Sequence, residues 1–121
     1  MKTFTDQLFY LGKNLAGYPD HPWVTSRRQA FSDQASVVFT HADLHLSNII
    51  MSDTSTEVLA IVNWHEAGWY PEFWEYIKAH WTNEWWIPGQ DWKEYIPVAF
   101  QPSYVKESDA FEEYAATGVI L

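Results

Sequence analysis

The chain has 121 residues, enough for one compact domain with a modest core. Its hydrophobic content of 47%, with 18% aromatic residues, excludes an intrinsically disordered chain. A net charge of −9 opposes nucleic-acid phosphates and anionic membranes, and the absence of Cys excludes disulfides, thiolate chemistry and Cys-based zinc sites. Eight Trp are many for this length. They read as core or interface, with one or two available as a wall beside a flat or cationic ligand. No signal peptide and no membrane-length apolar run is apparent, so the expectation is a soluble cytoplasmic protein.

Phe4, Leu8, Leu11 and Leu15 recur at helical spacing, with Thr3 or Thr5 as cap and Gly17 and Pro19 as stop. A second helix is expected from Pro22 to about Gln34, burying Trp23, Ala30 and Phe31. Val37–Phe39, Asn48–Met51 and Val58–Val62 read as short strands. The polar stretch 52–56 makes a hairpin of the last two, its open ends facing one site. Pro71 is expected to open a helix that repeats Phe73, Ile77, Trp81 and Trp85, with Glu72 in its first turn and Pro88-Gly89 as its end. Asp91 and Glu94 form a capping pattern for a short helix curtailed by Pro97. A last helix over Ser108–Thr117, stopped by Gly118, would present Phe111, Tyr114 and Ala115. The layout predicts a single α+β domain over 1–121, mostly helical, with a small central β-hairpin.

Thr40 to Asn48 joins two apolar strands and is the stretch best placed to carry chemistry. His41-x-Asp43-x-x-x-x-Asn48 is the kinase catalytic-loop spacing. There an Asp receives or orients a substrate hydroxyl proton, and the Asn turns back to a phosphate-bound metal. The alternation of His41, Asp43 and His45 also suggests a metal site, a lesser reading because it leaves Asn48 unexplained.

His41-Ala42-Asp43-Leu44-His45 with Asn48 resembles the HGDLHxxN loop of the aminoglycoside phosphotransferase and choline kinase superfamily. The run from Asn63 to Tyr76 is similar to the D-W-x-x-A-G-W-Y-P-E-Y-W-E-Y stretch of its fungal branch. Together the two blocks span 37 to about 81. The resemblance implies a kinase-like C-lobe in which Asp43 is the catalytic base, Asn48 a magnesium ligand and His41 a shaper of the loop. It would make residue 63 the second metal ligand, an Asp, but the chain has Asn63, which lacks the charge that holds Mg²⁺ among phosphates. Nothing in the first 36 residues resembles the N-lobe phosphate loop or its ATP-anchoring Lys, so the resemblance is to a truncated C-lobe.

His65 stands where that family commonly has an acid. Asp43, His45, Asn63, His65 and Glu66 are therefore expected to converge, with Asp43 and His65 as an acid/base pair. His45, Asn63, Glu66, Trp64 and Trp69 are the candidate substrate contacts, and Asn48 and Asn63 the metal ligands if magnesium binding survives. The expectation is a small-molecule enzyme of a biosynthetic pathway that transfers no phosphate and needs no cofactor. It would catalyse an isomerisation, cyclisation, elimination or hydration. The alternatives are a binding or regulatory pseudokinase, or the C-terminal half of a split phosphotransferase using Mg²⁺ and ATP. The expected partners are a small metabolite, for which the acidic charge allows a cationic one, and a second copy, another chain or the N-terminal helix covering an exposed face.

Overall fold

A computed structural model describes residues 3–15, 22–85, 92–100 and 103–116. It is an α+β structure in which helices make up about half of the residues, with two small antiparallel sheets. The chain forms two compact units, Met1–Ser36 with Tyr104–Leu121, and Val37–Ser103.

The first unit is helical. Helix α1 spans Phe4–Leu15. Of its two candidate caps, Thr3 does the work: its hydroxyl accepts the Asp6 N–H at 3.1 Å, and Asp6 returns the bond to the Thr3 N–H at 3.2 Å. Thr5 is buried instead. Phe9 is fully buried, whereas Phe4 and Leu8 are half-buried; the Leu11 and Leu15 side chains, like Gly17 and Pro19, lie outside the described residues.

Helix α2, Pro22–Arg28, is shorter than the expected run to Gln34. Its end tightens into i→i−3 bonds, Ala30 N–H to the Arg27 carbonyl and Phe31 N–H to that of Arg28. The Arg28 guanidinium then holds Asp6 and Asp33 and approaches the Phe31 carbonyl. Val24 and Phe31 are buried, while Trp23 and Ala30 are half-buried. Helix α5, Val105–Ala115, starts three residues before the expected Ser108. It buries Phe111, Tyr114 and Ala115 as its spacing predicts, whereas Thr117 and Gly118 lie outside the described residues. Phe9 sits 4.4 Å from the Tyr114 ring and 5.5 Å from Phe31, closing this core.

In the second unit, β1 (Val37–Thr40) pairs antiparallel with β4 (Gly68–Pro71), from Val37 opposite Pro71 to Thr40 opposite Gly68. Strand β4 has no counterpart in the sequence-based expectation. Pro71 ends this edge strand and does not open a helix. Strands β2 (Ile49–Met51) and β3 (Val58–Ile61) form the expected hairpin, with an irregularity between Ile50 and Met51. Helix α3 spans Trp74–Trp85. Phe73, just before it, and Ile77 are buried, Trp81 is half-buried, and the Trp85 side chain and Pro88-Gly89 lie outside the described residues. Helix α4, Trp92–Ala99, continues past Pro97, where it was expected to stop. Its last turn closes with the Phe100 N–H on the Ile96 carbonyl, and Asp91 lies outside the described residues. Phe73, Tyr76, Ile77, Ala79, Trp92 and Ile96 are this unit's apolar core. The strands carry their apolar residues outward: Val37, Phe39, Ile50, Met51, Val58 and Leu59 are all exposed. No helix among the described residues is long and apolar enough to cross a membrane.

Candidate functional site

The loop after β1 is held from α3. Both Glu75 carboxylate oxygens accept loop amides, from His41 at 2.7 Å and Ala42 at 2.9 Å. Charge-assisted bonds to two successive N–H groups fix the backbone where it turns. Ala42 is left-handed there, with φ 69°, a conformation in which an L side chain is strained. The His41 ring completes the frame. Its Nδ1 accepts the Asp43 N–H at 3.1 Å, so Nε2 carries the proton and donates to the Val62 carbonyl at 2.7 Å. With both nitrogens engaged and the residue buried, His41 shapes the loop as expected. That use removes it from the His41–Asp43–His45 metal reading.

Asn48 ties the loop to the hairpin. It is fully buried, and its Nδ2 donates to the Asp43 carbonyl at 2.7 Å and lies 3.3 Å from Asp43 Oδ2. Its Oδ1, the atom that the resemblance would give to magnesium, accepts the Asn63 side-chain amide at 2.6 Å. Its carbonyl accepts the Val62 N–H at 2.9 Å. Asn63 reaches it from a left-handed backbone, φ 60° and ψ 61°, which Asn tolerates better than most residues. The hairpin's open ends do meet at one place, as expected.

Asp43 lies between two imidazoles. Its Oδ1 is 3.7 Å from His45 Nε2 and its Oδ2 is 3.9 Å from His65 Nε2. His45 is pinned, because its Nδ1 accepts the Ser47 N–H at 3.2 Å and its Nε2 lies 3.0 Å from Asn48 Nδ2. His65 is exposed on the short 3-10 turn Trp64–Glu66. Glu66 follows it, 3.5 Å from the Lys78 ammonium. The structure therefore brings Asp43, His45, Asn48, Asn63, His65 and Glu66 together.

The aromatic residues were expected mainly to pack the unit. Trp64 and Trp69 instead lie 47% and 71% exposed, both against Phe39: Trp64 stacked at 5.9 Å, Trp69 edge-on at 5.6 Å. Trp64 is anchored by its indole N–H on the Ile61 carbonyl and by a T-shaped contact with the His41 ring. Tyr70 and Trp74 are half-buried. The site residues that sequence reasoning missed are Glu75 and Lys78. An acid in the first turn of a helix was the available signal for Glu75, but Glu72 drew that attention.

No family model, no curated protein and no solved structure matches this chain.

Proposed function

We propose that residues 37–81 form the catalytic part of a kinase-like C-lobe that works as a nucleotide-independent acid/base catalyst on a small molecule. The observation that carries this reading is the Asp43 carboxylate facing the His65 imidazole across 3.9 Å, on a loop braced by Glu75, His41 and Asn48. Asp43 is the base and His65 the acid. A substrate lying against both groups loses a proton to the carboxylate and regains one from the imidazole, the requirement of an isomerisation, cyclisation, elimination or hydration. His45 lies 3.7 Å from the other carboxylate oxygen. Trp64 and Trp69 leave aromatic surface exposed that would suit an unsaturated or cationic substrate.

Two features support the kinase-like reading of the loop. The left-handed residue, Ala42, falls where the HGDLHxxN loop has glycine, and Asn48 turns back onto Asp43. The Asn48–Asn63 pair does not suit Mg²⁺ on a nucleotide. Both groups are neutral amides, bonded to each other at 2.6 Å, and a hard cation among phosphates calls for carboxylate charge.

The test is solvent-deuterium incorporation into a panel of small ketones, enols and unsaturated acids, without nucleotide and with chelator present. Asp43→Asn and His65→Ala are each expected to cut exchange by about 100-fold or more, the scale of a lost general acid or base. Exchange at the wild-type rate in both variants would refute the pair. Thermal stabilisation by Mg²⁺-ATP would favour a residual kinase instead.

A further inference from the structure

We propose that Asp43, His65 and Glu66 form a binding site for a zinc-type divalent ion, separate from the Asn48–Asn63 amide pair. One ligand atom from each of the three lies within 4.8 Å of the others. The 3.9 Å between His65 Nε2 and Asp43 Oδ2 is too long for a hydrogen bond. It is slightly more than the ~3.3 Å edge of a tetrahedron with zinc-type N and O bonds. His65 and Glu66 are exposed neighbours on one short turn, so small rotamer changes close the remaining gap.

The donor set selects the ion. An imidazole with two carboxylates suits a borderline cation and is a poor match for Mg²⁺ or Ca²⁺, which prefer oxygen alone. Three protein ligands leave a fourth position open, the arrangement of catalytic zinc. Asn48 Nδ2, 3.3 Å from Asp43 Oδ2, orients that ligand, whereas the Lys78 ammonium, 3.5 Å from Glu66 Oε2, competes with the ion for the second carboxylate. His45 is not a ligand. Its two ring nitrogens already face the Ser47 N–H at 3.2 Å and the Asn48 side-chain amide at 3.0 Å.

This inference stands on the geometry and does not depend on the acid/base reading. The ion would take the His65 lone pair and the Asp43 carboxylate, so ion binding and proton transfer through that pair exclude each other.

Chelator-stripped protein titrated with Zn²⁺ by calorimetry, and with Co²⁺ by visible absorption, provides the test. One ion per chain is expected. His65→Ala and Glu66→Gln should each weaken binding at least tenfold, whereas Lys78→Met, which removes a competing cation, should tighten it about threefold. His65 and Glu66 are exposed, so folded variants are expected, and far-ultraviolet circular dichroism verifies this. Absence of binding, or wild-type affinity in His65→Ala, would overturn the site; an unchanged affinity in Lys78→Met would remove Glu66 from it and overturn the three-residue assignment. The readout involves no turnover, so its failure leaves the acid/base pair standing. Deuterium exchange insensitive to both Asp43→Asn and His65→Ala in chelator would sink that pair alone.

Discussion

At the residue scale, Ala42 shows most clearly how the loop is held. A left-handed alanine costs about 1–2 kcal/mol, and the two bonds from Glu75 keep it there. Glycine would relieve that strain but would give up a buried methyl, worth about 0.8 kcal/mol, and would add unfolded-state entropy. Ala42→Gly is therefore expected to leave stability within about 1 kcal/mol of the wild type. Ala42→Val, β-branched in a left-handed and buried position, should lose about 2 kcal/mol or more. Urea denaturation followed by Trp fluorescence distinguishes the two outcomes. The alanine itself carries no φ signal; only the glycine at this position of the HGDLHxxN pattern that the loop resembles hints at a left-handed backbone. Asn63 is different: Asn is a residue that visits the left-handed region, and its place beside the start of β2 follows from the hairpin. What spacing alone left open was the bond partner of its side chain, which turned out to be Asn48.

At the scale of elements, legibility follows the strength of local patterning. The β2–β3 hairpin is written in two apolar runs around a polar turn, and Phe73 and Ile77 mark the buried side of α3. Strand β4 is hidden because Gly68 and Pro71 read as punctuation, whereas its pairing with β1 is a tertiary event. Helix α2 ends early for a similar reason: Arg28 reaches Asp6 and Asp33, a network no local window contains. That network has a pH signature. Burial pushes the Asp6 carboxyl up, but its bonds to the Arg28 guanidinium and to Thr3 outweigh this and hold it below its ordinary 3.8. A carboxylate depressed in this way contributes fully above its unfolded value and loses that contribution as pH falls through its folded value. Asp6→Asn should therefore lower stability at neutral pH, with the difference from wild type vanishing in acid. Because Asp6 is partly exposed, solvent screening keeps the effect small. Urea midpoints measured across the acid range check the sign.

At the scale of the whole molecule, the described core of the second unit comes from its helices and the residue before α3 more than from its strands. Val58–Val62 reads as a strand from its apolar run, and every residue of the observed β3 is exposed. Apolar runs announce strands reliably, but which face is covered depends on packing that the run does not encode. The site's frame is likewise non-local, and this bears on the order in which the molecule comes together. Glu75 reaches back 34 and 33 residues to the two amides of the turn, and the strand that ends at that turn pairs with one just before α3. Closing a loop of that length has to precede the contacts that compensate for it. The turn bearing Asp43 therefore cannot be set while the chain through Glu75 is still loose. In pulsed amide-exchange during refolding, the His41 and Ala42 amides should gain protection no earlier than the first turn of α3, well after isolated helical segments have begun to flicker into shape. Earlier protection of the two would show that the turn preorganises without its clamp. Later protection would mean that the turn bearing Asp43 takes its shape only once the start of α3 is in place to receive it.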